Sequence, residues 1–200
     1  MNGSGWFFDM LSVALYTVFI QNLVFSGGYG ASEAVRIAAK PRRLLLFSAY
    51  IAYFAVVTSA ACRALDFIPY VKALSDTAHT AIFIAVLIVS YVLTAILFWV
   101  VLGAEPKFLS QLGISALNTL VLAVPFINYR AAHSFFESLG TGIGAGAAFF
   151  LAVFLISKGM GKLYTNKDIP PMFQGTPAIF IYVALLSLAF TGFSGSSLFA

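Results

Sequence analysis

Two pairs of polar residues, Gln21-Asn22 and Asn118-Thr119, interrupt otherwise apolar segments of the chain. A helix breaker follows each pair within a few residues: the glycine-rich stretch 26–30 in the first case and Pro125 in the second. The repeated pattern favours two discontinuous helices whose broken ends meet near the centre of a bilayer. These four residues are therefore the candidate midplane site. The alternative is that their amides and hydroxyl only bond one helix to another.

The other residue types give no catalytic or metal-binding pattern. The single cysteine, Cys62, lies in an apolar run and is interpreted as core packing. His79 and His133 lie at loop or helix ends and are interpreted as interfacial residues. All seven carboxylates also lie at or beyond the ends of the apolar segments: Asp9, Glu33, Asp66, Asp76, Glu105, Glu137 and Asp168. We therefore predict no catalytic, cofactor-binding or metal-binding residue in this chain.

The composition is that of a protein whose solvent is lipid. Apolar types make up 61% of the 200 residues and charged types 9%, whereas soluble domains carry about a quarter charged residues. A spanning helix needs about 20 mainly apolar residues, and six stretches qualify: 7–25, 44–64, 80–102, 109–127, 140–156 and 178–193. These runs do not alternate as barrel strands do. We predict an all-α membrane protein with six transmembrane helices.

The chain also resembles itself at an offset of 97 residues. Segment 81–94 shares seven residues with segment 178–191, among them a serine and a threonine, and 21–24 lies over 118–121. Because each half holds three helices, an odd number, the second half must enter the membrane upside down. We predict one membrane domain, 1–200, built from two inverted repeats of about 1–102 and 103–200.

Basic residues determine the predicted orientation. The first, third and fifth loops hold eight of them, Arg36, Lys40, Arg42, Arg43, Lys107, Lys158, Lys162 and Lys167, whereas the opposite side holds Arg63, Lys72 and Arg130. Positive residues concentrate in cytoplasmic loops, so both termini are predicted outside. The formal charge of +4 follows from this bias and from contact with anionic lipid. It does not indicate a nucleic-acid partner.

The predicted fifth helix starts with glycine at every second position, Gly140, Gly142, Gly144 and Gly146. Glycine lets two backbones approach closely. We interpret these residues as helix packing, with contact to a cofactor as the alternative.

The C-terminal part carries the most specific motifs. Segment 168–175 reads Asp-Ile-Pro-Pro-Met-Phe-Gln-Gly, and 188–195 reads Leu-Ala-Phe-Thr-Gly-Phe-Ser-Gly. Both resemble the end of the six-helix membrane subunits of the Rnf and Nqr electron-transport complexes, of the RnfA/NqrE type. The amides of Gln21-Asn22 and Asn118 also match that family, and the resemblance covers nearly the whole chain.

The resemblance implies an integral membrane subunit of an oxidoreductase that couples electron flow to sodium or proton translocation across the bacterial inner membrane. It further implies a homologous partner of opposite orientation, of the RnfE/NqrD type, besides other complex subunits. In the family this pair shares a [2Fe-2S] cluster held by two cysteines from each chain.

The chain departs from the family at these cysteines. Thr119 stands where the family has a cysteine after the asparagine, and the segment 28–32 holds no cysteine. Iron-sulfur clusters are held by thiolates, so no cluster is expected in this chain. The alternative function is a cluster-free paralogue that acts as a small-solute or ion carrier or as a homodimeric membrane scaffold.

The predicted topology can be checked by labelling single cysteines in a chain that carries Cys62→Ser. A membrane-impermeant reagent applied to intact cells should reach Gly3→Cys but not Ala39→Cys, because one span separates an outside terminus from a cytoplasmic loop. Labelling of both positions from the same side would contradict the topology.

Overall fold

The computed structural model describes residues 5–193, and every regular element in that range is helical. The α-helices are α1 (Gly5–Leu15), α2 (Leu23–Gly27), α3 (Ala31–Ala38), α4 (Leu44–Leu65), α5 (Pro69–Lys72), α6 (Asp76–Leu102), α7 (Pro106–Ala116), α8 (Thr119–Arg130), α9 (Phe135–Thr165) and α10 (Thr176–Phe193). A π-helical turn, Tyr16–Ile20, continues α1, and 3-10 turns cover Pro41–Arg43 and Pro171–Phe173. The predicted all-α class is confirmed for this range. Gly3, Ser194 and Gly195 lie outside the described residues.

Five helical stretches are long and apolar enough to cross a bilayer: Pro41–Leu65, Asp76–Leu102, Pro106–Arg130, Phe135–Thr165 and Thr176–Phe193. The chain is thus a multi-pass membrane protein. The predicted first segment, 7–25, instead contains a shorter apolar helix, Gly5–Ile20, because the helix is interrupted at Gln21. The predicted fourth segment, 109–127, is divided between α7 and α8.

Helix α9 lies at the centre of the packing, with α1 on one side and α4 on the other. A Cβ placed on Gly140 or Gly144 would collide with the backbone of α1, and one placed on Gly142 or Gly146 with the backbone of α4. Residues two apart in a helix point in nearly opposite directions. The alternating glycines therefore allow two close helix contacts at once. Their predicted role in packing is confirmed.

The contacts along α9 also give the relative directions of the helices. From Gly140 to Gly144 they advance along α1 from Met10 to Ala14, so α1 and α9 run parallel. Along α4 they go backwards, from Val56 to Ala52, so α4 and α9 run antiparallel.

The connecting loops separate into two ends of the helix bundle. At one end, Arg43 before α4 donates a hydrogen bond to Gln111 of α7 at 2.8 Å. At the other end, Asp66 after α4 lies 3.7 Å from His79 in α6. The first and third loops thus lie at the end opposite to the second.

The outer helices α6 and α10 present apolar side chains away from the protein. Leu93 is 63% exposed, Val100 68% and Phe180 62%, whereas Phe54 of α4 and Phe149 of α9 are fully buried. Exposed apolar surface of this extent suits a lipid environment.

We expect Gly144→Ala to lower stability by about 1–3 kcal/mol, because the new Cβ would lie 2.8 Å from the Ala14 carbonyl oxygen, a backbone atom. Gly161→Ala is the matched control in the same helix. Nothing lies within 4 Å of its Cβ position, so it should be neutral or stabilising by up to about 1 kcal/mol. Thermal unfolding in one detergent measures both. Equal effects would show that α9 does not need its glycines for packing.

Candidate functional site

The first break in the helices lies at the predicted pair Gln21-Asn22. The backbone N–H of Gln21 bonds to the Tyr16 carbonyl at 2.9 Å, which closes the π-helical turn. Asn22 then leaves the helical conformation, with φ −61° and ψ 110°, and becomes the N-cap of α2. The amide pair is therefore the position of the break itself, and the glycines that follow end the short α2.

Asn22 satisfies all of its side-chain hydrogen-bonding groups inside the protein. Its Oδ1 accepts from the N–H groups of Val24 at 3.1 Å and Phe25 at 3.3 Å. Its Nδ2 donates to the carbonyls of Val18 at 3.1 Å and Ala148 at 3.3 Å. The side chain is fully buried. Asn22 thus bridges both sides of the break and ties them to α9.

The second break lies at Asn118, which is the N-cap of α8 and 3% exposed. Its Oδ1 accepts from the Leu120 N–H at 2.9 Å. Its Nδ2 is buried without a hydrogen-bond partner among the described residues. The expectation that Pro125 interrupts this helix is wrong, since Pro125 lies inside α8. The capping asparagine, which can bond freed N–H groups, marks the break instead.

The two breaks meet in space. The Gly30 N–H donates to the Thr119 hydroxyl at 2.9 Å, and a Cβ on Gly30 would lie 2.7 Å from Asn118 Oδ1. Gly30 has φ +71°, which also favours glycine. The structure therefore brings Asn118 and Thr119 against the end of the first broken segment, whereas Asn22 is held by α9.

The capping residues shift the relation between the two halves by one residue. The offset of 97 aligns Asn22 with Thr119, but the two N-caps are Asn22 and Asn118, which are 96 residues apart. One extra residue must therefore lie in the second half between Asn118 and Ala178, the point where the match at 97 begins.

A groove of about 550 Å³ opens beside the meeting point of the breaks. Gly28 and Thr119, both exposed, lie on its wall with the rings of Phe83 and Phe126. Gly28 leaves open space around its Cβ position, whereas Gly27 packs against Tyr29 within the chain. The groove makes one hydroxyl of the candidate site reachable from outside the helix bundle.

Gln21, the fourth predicted residue, faces a different space. It is exposed and lines a cavity of about 400 Å³ together with Thr17, Tyr29, Arg130 and His133. This cavity offers hydroxyl, amide, guanidinium and imidazole groups next to the first break.

A buried polar network near this cavity was not predicted. Asn128 in α8 donates to the Ser59 hydroxyl at 3.2 Å, and its Oδ1 lies 3.0 Å from His133 Nδ1. Thr141 of α9 lies 3.2 Å from the same nitrogen. Burial, aided by the charge of Arg63 and opposed by that of Glu137, lowers the pKa of His133. The signal available in the sequence was an asparagine at the end of an apolar run.

The interpretation of His79 as an interfacial residue is wrong. Its ring is 1% exposed and stacks on Tyr129 at 4.3 Å. His79 Nδ1 lies 3.2 Å from the Ser75 carbonyl, and Nε2 faces Asp66 Oδ1 at 3.7 Å. Arg63 also pairs with Asp66, at 3.3 Å. The pair closes the end of the bundle where α4 meets α6.

The residues at the two breaks do not fit an iron-sulfur cluster. They offer glycine backbone, two asparagine amides and the Thr119 hydroxyl, whereas such clusters need thiolates. Cys62 is buried in the last turns of α4, outside both breaks. Among residues 5–193, no three His, Cys, Asp or Glu side chains are grouped as for a metal ion.

Comparison with known proteins gives relatives that are all named as the A-type component of an electron-transport complex. The chain is 26% identical to the component of this type from the ion-translocating oxidoreductase complex of Syntrophotalea carbinolica, over 94% of this chain and 97% of that protein. It is 44% identical to the corresponding protein of Colwellia psychrerythraea over 39% of this chain and 40% of the relative.

A third relative is the A-type component of the proton-translocating ferredoxin:NAD(+) oxidoreductase complex of Clostridium ljungdahlii, 39% identical over 40% of this chain and 41% of the relative. The chain thus spans less than half the length of two of these three relatives. No family model matches the chain. The resemblance to RnfA-type subunits is confirmed by these relatives.

The hydrogen bonds of the two asparagines predict unequal costs of removal. Asn22→Ala should lower the free energy of unfolding by about 2–3 kcal/mol, because it leaves buried backbone groups on both sides of the break and on α9 unpaired. Asn118→Ala loses one capping bond and should cost about 1 kcal/mol. Chemical or thermal unfolding in a common detergent gives both values. A loss at Asn118 as large as that at Asn22 would contradict this account.

Proposed function

We propose that this chain, a relative of the A-type components of ion-translocating oxidoreductase complexes, is a membrane subunit of an Rnf/Nqr-type complex that moves Na⁺ or H⁺. The observation that carries the proposal is the meeting of the two breaks at Gly30 and Thr119. The sequence resemblance places the family's paired functional site at these two positions. Similarity along 94% of the chain supports the same assignment.

We also propose six spans in two inverted repeats, with both termini outside the bacterial inner membrane. In support, the second and fifth predicted spans, α4 and α9, pack antiparallel, as an in-plane twofold relation requires. Each half contains one helix broken at a capping asparagine.

The partner in this proposal is a homologous subunit of opposite orientation, of the RnfE/NqrD type, which docks on the groove between Gly28 and Thr119. The groove is the place where the breaks reach the outside of the bundle. Its wall is mostly apolar, with Leu122, Phe83 and Phe126 around the threonine. Small exposed groups at a helix interface permit close approach in membranes.

In this role the chain holds no iron-sulfur cluster of its own. The Thr119 hydroxyl already accepts the Gly30 N–H, and this bond closes the contact between the two breaks without a metal. The chain then supplies the scaffold and the docking face, and electrons pass through other subunits.

One observation favours a second function, that of a cluster-free carrier for a small solute. The 400 Å³ cavity at the first break is lined by polar groups of several helices, and transporters place their sites at such discontinuities. A carrier needs no partner of opposite orientation, so the composition of the purified assembly separates the two functions.

The proposed partner is tested by affinity purification of the tagged chain from its host in mild detergent. We expect a homologous membrane subunit to co-purify. Thr119→Trp fills the groove, and a clash costing about 1.4 kcal/mol or more would reduce the recovered partner about tenfold. Val100→Trp, at a 68% exposed position on α6, is the control and should leave recovery unchanged.

The same preparation, made anaerobically, tests the cofactor. We expect no stoichiometric iron in the isolated chain, and Cys62→Ser should leave the activity of the complex nearly unchanged. A strictly monomeric chain without partners would contradict the complex. Iron that is lost on Cys62→Ser would contradict the cluster-free role.

A further inference from the structure

A second groove, of about 830 Å³, lies between the beginning of α4 and the last third of α9. It is far from the breaks in sequence, and it joins residues from the first loop to residues of the fifth predicted helix. Arg42 and Arg43 come from one side and Lys158 from the other. Three cations therefore converge at one end of the bundle.

These cations are not neutralised within the described part of the chain. The groove is lined by no carboxylate of residues 5–193, and in that range none of the three cations takes part in an ion pair. Arg43 is held by a neutral partner, Gln111. The neighbouring groove of about 1040 Å³ contains Glu105 beside Lys107, so its charge is partly balanced. The 830 Å³ groove is thus the more strongly positive of the two.

The same groove continues as an apolar surface along the helices. Leu45 is 75% exposed, Phe154 44% and Phe150 36%, and the two phenylalanine rings stack at 6.4 Å with an interplanar angle of 10°. Lys158 Nζ lies 5.5 Å from the centre of the Phe154 ring, so its stem follows the apolar wall while its charge stays at the mouth. Ser157 adds a hydroxyl donor.

We propose that this groove is a binding site for one anionic phospholipid. The phosphate is bound by Arg42, Lys158 and the Ser157 hydroxyl, and an acyl chain lies on Leu45, Phe150 and Phe154. Charge at the mouth and apolar surface below it match the two parts of such a lipid. Basic pockets between transmembrane helices select anionic headgroups in this way. The site does not depend on the electron-transport role proposed above.

Native mass spectrometry of the delipidated chain, titrated with phosphatidylglycerol, tests the site. We expect one tightly bound molecule, and binding roughly 10- to 30-fold weaker in the double variant Arg42→Gln/Lys158→Gln, at about one tenfold step or less per lost cation. The control, Lys107→Gln/Lys167→Gln, removes the same charge outside the groove and should bind as the unchanged chain does. Phe154→Ala should weaken binding without changing the charge.

Three outcomes would overturn the site. Equally tight binding of phosphatidylcholine of the same chain length would show that the groove does not select the headgroup. An equal loss in the control variant would show attraction by overall charge only. If inorganic phosphate displaces the lipid fully and Phe154→Ala has no effect, the groove binds a phosphate ion and not a lipid.

Discussion

Every peptide group released by a helix break in a membrane protein must find a partner inside the protein, because lipid offers none. The described structure meets this constraint at two places with one residue type. Asn22 and Asn118 each cap the helix that follows the break. The remaining architecture surrounds these two points: α9 supplies a carbonyl to the first, and the end of the first segment covers the second.

The glycines of α9 are what bring the other helices within reach. The Ala148 carbonyl can accept from Asn22 because α1 lies against α9 at backbone distance, and that distance exists only where Gly140 and Gly144 carry no side chain. Tight packing in membranes gains its energy from such close contacts, since lipid provides no hydrophobic drive between helices. Packing and polar satisfaction are therefore one design at this site.

The sequence predicted the regular helices well and the breaks in part. Helix α4 begins at Leu44 and α6 ends at Leu102, as expected, because Gly103 ends α6 in a left-handed conformation. Apolar length is a local signal and needs no tertiary information. At the breaks, polar residues gave the right place, but Pro125 was a misleading breaker because α8 begins six residues earlier.

Other features depend on contacts between distant segments and had no sequence signal of their own. The π-helical turn before Gln21 leaves no pattern in the residue types. The bond between Gly30 and Thr119 joins residues 89 apart, and the network around Asn128 links three helices. His79 was misjudged because its position at a helix end suggested water, whereas Tyr129 from α8 covers its ring.

The bond from Asn22 to Ala148 spans 126 residues, and this separation constrains biogenesis. The ribosome releases α1, α4 and α6 to the insertion machinery long before α9 exists. Until then the Asn22 amide lacks its Ala148 acceptor, and the surfaces of α1 and α4 that receive α9 face lipid or the insertase. The first three predicted spans are thus an incomplete assembly intermediate. Maturation of the whole chain waits for the fifth predicted span, whose arrival closes both interfaces in one step.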